Sequence, residues 1–253
     1  MKLRVPGECS QITLSQFMAY HTAADDVERV MVIIDKSREY CEGLKADSAR
    51  TIIALFDEVI ETASSNFERI ITVNGKRLGF LPDINSMTFR EHVDLDQLAQ
   101  TIWRDGKPCD YTELPRLMAV MFRPVTEQVR DYYNIEKYDL DKTARYMPEI
   151  MQLTLDRVNG ALLFFFEYRR GISQQFAGLF GLDTQEGDER DYSPSGLGRW
   201  GWFHILESVS GNDLTKHEMV LDKAASSVFT HLSYMRDFNS EQARIMKQAY
   251  KLK

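Results

Sequence analysis

Ile70-Ile-Thr-Val-Asn-Gly-Lys-Arg-Leu-Gly-Phe-Leu-Pro82 is the stretch whose reading decides the fold. Asn74-Gly75 suits a two-residue type I′ turn, because both central positions of that turn need φ > 0. Closing the turn there sets Ile71 opposite Leu78 and Val73 opposite Lys76. Period-2 alternation then places Ile71, Val73, Leu78 and Phe80 on one face, with Lys76 at the exposed tip. Thr72 and Arg77 fall on the other face. Pro82 lacks the N–H that continues a ladder, so the second strand should end there. A lone hairpin is marginal in water and needs a cover for its apolar face. The helical segments on either side are the expected cover.

At 253 residues the chain can bury a large core, and its 43% hydrophobic and 27% charged content is that of a soluble globular protein. A formal charge of −7 argues against a protein that grips phosphate backbones, so no nucleic-acid partner is expected. Cys9, Cys41 and Cys109 are widely spaced and odd in number, as expected of reduced thiols in a cytosolic compartment. The opening residues carry no apolar signal-peptide core. The most apolar run, Ala161–Phe166, falls far short of the roughly 20 residues of a membrane span.

Working outward from the hairpin, Leu14–His21 (capped by Thr13), Ala23–Asp35, Ser37–Leu44 and Asp47–Thr62 read as helices. The last has the best amphipathic stripe, Ile52, Leu55, Phe56, Val59 and Ile60. Asp25, Asp26 and Glu28 suit the first turn of a helix better than a metal cage. Beyond Pro82, Thr88–Thr101 is helical, Arg104–Asp110 a polar turn, and Thr112–Phe122 a helix with Pro115 in its first turn. Phe122-Arg-Pro124 ends it, because a residue before proline avoids the α region. Val129–Tyr138 favours a strand added beside the hairpin. From Met147 the chain is helical again, with Gly160 allowing close approach of a partner helix, Phe164-Phe-Phe166 as core, and Arg169-Arg-Gly171 separating a further segment, Ile172–Leu182. Asp183–Gly198 is acidic and aperiodic, a loop and subdomain boundary. Trp202–Ser210 is a short helix with Gly211 at its C′ position and Asp213 capping the next turn. Ala224–Met235 and a basic, polar Ser240–Leu252 close the chain. The expected class is α+β and predominantly α-helical. Its organisation is residues 1–182 around the hairpin near 70–81, a loop at 183–198, and a C-terminal helical subdomain at 199–253.

The chain lacks a phosphate-binding glycine loop, a dinucleotide fingerprint, a zinc-helix motif and a nucleophile elbow. The five histidines are scattered, and no cysteine or third histidine joins His204 and His217 in a metal-ligand pattern. No catalytic residue, metal or cofactor is expected. Trp200 and Trp202, with Phe203 beside them, suit either an anchor for the last helices or an exposed aromatic patch. Composition and spacing point to a binding or assembly protein rather than an enzyme.

Three stretches in sequence, Val73-Asn-Gly-Lys-Arg-Leu-Gly-Phe-Leu-Pro-Asp83, Met87–Asp96 and Leu117-Met-Ala-Val-Met-Phe-Arg-Pro124, resemble tail assembly chaperones and related tail-cluster proteins of tailed bacteriophages. Trp200-Gly-Trp-Phe through Gly211-Asn-Asp-Leu-Thr-Lys-His-Glu-Met-Val220 is similar to an element near the end of many such proteins. These matches cover less than a third of the chain. The resemblance implies a non-enzymatic protein of the infected host's cytoplasm that binds the tape measure protein, with tail-tube subunits as further clients. A homo-oligomer is compatible with it. The alternative it implies is a structural virion protein such as a head–tail connector or neck component. Apolar grooves between helices would receive the client, and Met118, Met121, Met147 and Met151 are candidates to line one or to fill the core. Trp200 and Trp202 are the aromatic candidates for the same role.

Overall fold

In the computed structural model, which describes residues 4–62, 64–82, 87–104, 107–177, 179 and 201–251, Asn74 and Gly75 have φ values of 50° and 76°. They join β1 (Ile70–Val73) to β2 (Lys76–Phe80). Ile71 pairs with Leu78 and Val73 with Lys76, the register set by the turn. Ile71, Val73, Leu78 and Phe80 are buried. Lys76 does more than mark the tip. Its Nζ lies 2.7 Å from Oε1 of the buried Glu149 and ties the hairpin to a later helix.

The hairpin is half of a four-stranded antiparallel sheet of order β1-β2-β5-β6, alongside a two-stranded ribbon, β3 (Trp103–Arg104) and β4 (Lys107–Pro108). That ribbon occupies part of the expected polar turn. The strand directly beside the hairpin is β5 (Phe122–Val129), which the sequence reading did not anticipate. The preproline position that ends the preceding helix also favours extended backbone, so Arg123-Pro124 opens a strand as it closes a helix. Phe80 pairs with Phe122 and Leu78 with Pro124. The strand expected within 129–138 is β6 (Tyr132–Ile135), and it pairs with β5 rather than with the hairpin. Gly79 has a packing reason. A Cβ there would stand 2.7 Å from Cε2 of Tyr133 and 2.8 Å from Cγ2 of Ile135. The Tyr133 hydroxyl donates to the carbonyl oxygen of Phe80 at 2.7 Å.

Helices α1 (Leu14–Thr22), α2 (Asp26–Ile34), α3 (Arg38–Glu42) and α4 (Ala46–Glu61) precede the sheet. Thr13 and Gln16 form a reciprocal capping box on α1. Asp25 caps α2, accepting from the Glu28 N–H at 2.8 Å. Arg38 gathers Asp25, Glu28 and Glu42 at 2.9–3.2 Å, so the acidic first turn is a cap and an ion-pair cluster. Leu55, expected on the core stripe of α4, is exposed; Ile52 and Phe56 are buried.

After the sheet's first hairpin come α5 (Phe89–Ile102), α6 (Leu114–Met121), α7 (Met147–Ile150) and α8 (Leu155–Gln175). α8 runs unbroken through Arg169-Arg-Gly171, where the sequence suggested a break. An exposed glycine costs a helix only about 1 kcal/mol, too little to interrupt a packed one. Gly160 does allow a close approach, but of an extended segment rather than a helix. Its hypothetical Cβ would meet the Asn66 carbonyl oxygen at 2.6 Å and the Phe67 nitrogen at 2.9 Å. Phe164 and Phe67 stack at 5.0 Å, and both contact Phe80 edge-on. The cover over Phe80 is therefore α8 together with the segment leading into β1. Of the Phe164–Phe166 block only Phe165 is fully buried.

About 64% of the described residues are helical, so the class is helix-dominated α+β. Two compact units are present, Met1–Pro82 with Leu95–Phe165, and Asp83–Asp94 with Phe166–Lys253. The divisions fall inside α5 and α8. The boundary expected at 183–198 lies outside the described residues.

Gly160→Ala must push backbone aside, and about 1–3 kcal/mol of destabilisation is expected, read from the urea midpoint. Gly171→Ala has no neighbour within 4 Å and should instead raise stability by roughly 0.4–1 kcal/mol.

Candidate functional site

In the second unit, α9 (Trp202–Ser210) ends at Gly211, whose φ of 70° supplies the left-handed residue of a helix stop. Asn212 follows at φ 59°, and its N–H donates to the Glu207 carbonyl at 2.9 Å. The Asp213 carboxylate then accepts from the Thr215 hydroxyl at 2.6 Å and N–H at 3.1 Å. Lys216 Nζ stands 2.9 Å away. The Thr215 hydroxyl foremost, then Lys216, hold the Asp213 carboxyl down at about 2 against an ordinary 3.8. The turn leads into α10 (His217–Leu221) and then α11 (Ala225–Lys251). His217 is buried with its Nε2 3.3 Å from Glu207.

Phe89, Phe176, Leu206, Val220, Ala225, Val228 and Phe229 form the core of this unit, and Trp202 packs against it. The Trp202 ring is edge-on to Phe89 at 5.7 Å and perpendicular to His92 at 5.2 Å. His92 Nδ1 lies 3.2 Å from the Tyr168 hydroxyl, and burial pushes that phenol well above its ordinary value. Thr88 and Glu91 form a capping box at the start of α5, with Thr88 N–H and hydroxyl each donating to Glu91 at 2.7 Å. The Phe89 N–H donates to Lys223 at 2.7 Å, and the Ala225 N–H to Met87 at 2.8 Å. These bonds tie the starts of α5 and α11 together.

The expected site residues separate on inspection. Met118 and Met121 are completely buried in α6, so a partner reaches neither without opening the core. Met147 begins α7 and Met151 follows it; both are half-buried. Trp202 stands in the aromatic core of the other unit, as an anchor would, and Trp200 lies outside the described residues. Among the described residues no cluster of three or more His, Cys, Asp or Glu is placed to hold a metal. Nor is any described helix long and apolar enough to cross a membrane.

Sequence reading missed the most accessible apolar surface. α11 buries Val228 and Phe229, but farther along it exposes Tyr234, Met235, Phe238, Ile245, Met246 and Tyr250, from 38% (Met235) to 80% (Tyr250). Their three- and four-residue spacing was available as a signal. Dividing 224–252 into two helices, the second read as basic and polar, concealed one continuous stripe on a helix of 27 residues. An exposed apolar stripe of this kind is the candidate site of the described residues.

No family model, curated protein or solved structure matches this chain.

Two outcomes follow from the geometry of this unit. Trp202→Ala should cost about 3 kcal/mol, the lower end for a truncated core aromatic because the ring is only partly buried, and denaturant unfolding measures it. Asp213 has a folded pKa below its unfolded one, so its contribution to stability is complete above about pH 4 and lost as pH falls towards 2. Unfolding midpoints of wild type and Asp213→Ala should therefore converge across that window and differ above it.

Proposed function

We propose that this chain is a non-enzymatic tail assembly chaperone of a tailed bacteriophage. It works in the cytoplasm of the infected bacterium, binding the tape measure protein and tail-tube subunits while the tail is built. The observation that carries this reading is the exposed apolar stripe of α11, from Tyr234 to Tyr250. A long helical client offers amphipathic helices, and such a helix lays its apolar face along another at anchors spaced three and four residues apart. Phe238 and Ile245 are the central anchors. Met235 and Met246 flank them with side chains flexible enough to fit many related client segments. The adaptable methionines of this surface are thus on α11, while Met118 and Met121 serve the core. Support also comes from the hairpin and helix-end stretches that resemble the phage proteins. The net charge of −7 fits a carrier that stays soluble while its client aggregates.

Co-expression with the tape measure protein of the same genome tests the reading. Wild-type chain should retain the client in solution and co-purify with it. The pair Phe238→Ala and Ile245→Ala should reduce recovery at least tenfold, while shifting folding stability by no more than about 0.5 kcal/mol, as exposed substitutions do. Recovery unaffected by the pair sinks the proposal. Mass spectrometry of purified virions provides the second arm. A chaperone is absent from mature particles, whereas a fixed copy number there would make the chain a connector or neck component.

A further inference from the structure

α11 changes surroundings part-way along its length. Val228 and Phe229 are buried, Leu232 packs against the same core, and from Tyr234 to Tyr250 every residue is exposed. Over that span Met235, Phe238, Gln242, Ile245 and Ala249 recur at spacings of three, four, three and four. The spacing is that of an a/d seam of a heptad repeat, and it runs on a face offset from the buried Phe229 and Leu232. Tyr234 and Met246 flank the seam. Arg236 pairs with Asp237 at 2.9 Å, and Glu241, beside the seam, pairs with Arg244 at 2.6 Å.

We infer that α11 is a self-association element, and that without a client its exposed face is covered by the α11 of a second copy of this chain. Three observations select that occupant. The seam is self-complementary, with Gln242 at its midpoint, where amide meets amide when the two helices run parallel and in register. A single polar residue in such a seam sets register and oligomeric state. The ion pairs within the helix neutralise four of its charges and leave Lys247 and Lys251, which lie off the seam, so two copies meet without strong like-charge repulsion. The area is sufficient as well. The exposed apolar side chains of the seam and its flanks present on the order of 500 Å² per chain, so two copies bury about 1,000 Å², the lower end of a specific interface. An interface that small makes the dimer concentration-dependent. A helical end held only at its root is marginal alone, and pairing supplies the packing it lacks.

This inference concerns the face that the proposed client uses but does not depend on the client. Full-length chain should sediment with a mass that rises towards twice the monomer as concentration passes through the micromolar range. Phe238→Asp with Ile245→Asp should weaken association at least tenfold and leave the thermal midpoint of the folded units unchanged. In a Cys109→Ser background, where the remaining Cys9 and Cys41 are buried, Gln242→Cys should give a disulfide-linked dimer on mild oxidation. A chain that is monomeric throughout, a dimer indifferent to the aspartates, or failure of the cysteine variant to cross-link would each overturn the inference. Dimerisation with no client recovery overturns the chaperone reading alone; client recovery by a strict monomer does the reverse.

Discussion

Two residues with positive φ, Asn74 and Gly75, hold β1 and β2 in one register, and register decides which side chains a sheet can bury. A slip of one position would turn Leu78 and Phe80 to the solvent face. Phe80 sits among Phe67, Phe122 and Phe164, with ring centroids 5.0–5.3 Å away. Its carbonyl receives the Tyr133 hydroxyl, and its partner across the ladder, Phe122, begins β5. Moving it would dismantle the cover from α8, the seat for Tyr133 and the junction between α6 and β5 together. The turn at one end of the hairpin thus governs contacts made at the other.

The close approaches at Gly79 and Gly160 complete that arrangement. In one, an aromatic ring lies where a side chain would otherwise stand. In the other, a helix meets the Asn66–Phe67 backbone directly. Both positions exchange the conformational cost of glycine for packing that no larger residue permits. The Glu149–Lys76 pair works in the same direction. A carboxylate in a buried position needs a cation, and the cation available is at the hairpin tip.

The second unit is organised around aromatic side chains with polar groups enclosed among them. His92 contacts Trp202, Phe229 and Tyr168, and Glu91 closes the cap of α5 beside it. Such a core is specific because each polar atom needs a partner in a fixed place. Among the described residues, the end of α11 has no comparable surroundings. The same helix thus packs into an internal core through Val228 and Phe229 at its start and exposes a second apolar face along the rest. Hydrophobic burial drives both, and the difference lies in what is present to cover the stripe.

Local chemistry by itself determined the elements whose geometry is settled within a few residues. The Asn74-Gly75 hairpin and its register, the caps at Thr13, Asp25 and Asp213, and the helix stop at Gly211 depend on φ preferences and short-range hydrogen bonds. Non-local pairing was not legible in this way. Phe122–Val129 carries no clean alternation, and it is a strand because β2 offers an edge beside it. Arg169-Arg-Gly171 has the composition of a helix end, yet α8 continues through it. For the candidate site, helical spacing marked Met118 and Met121 as apolar and left open whether that apolarity faced a core or a partner. Only the tertiary structure decided, burying those two methionines and leaving Phe238 and Ile245 exposed. The same periodicity marks a stripe that the protein covers and one that it leaves free, and the distinction rests on neighbours distant in sequence.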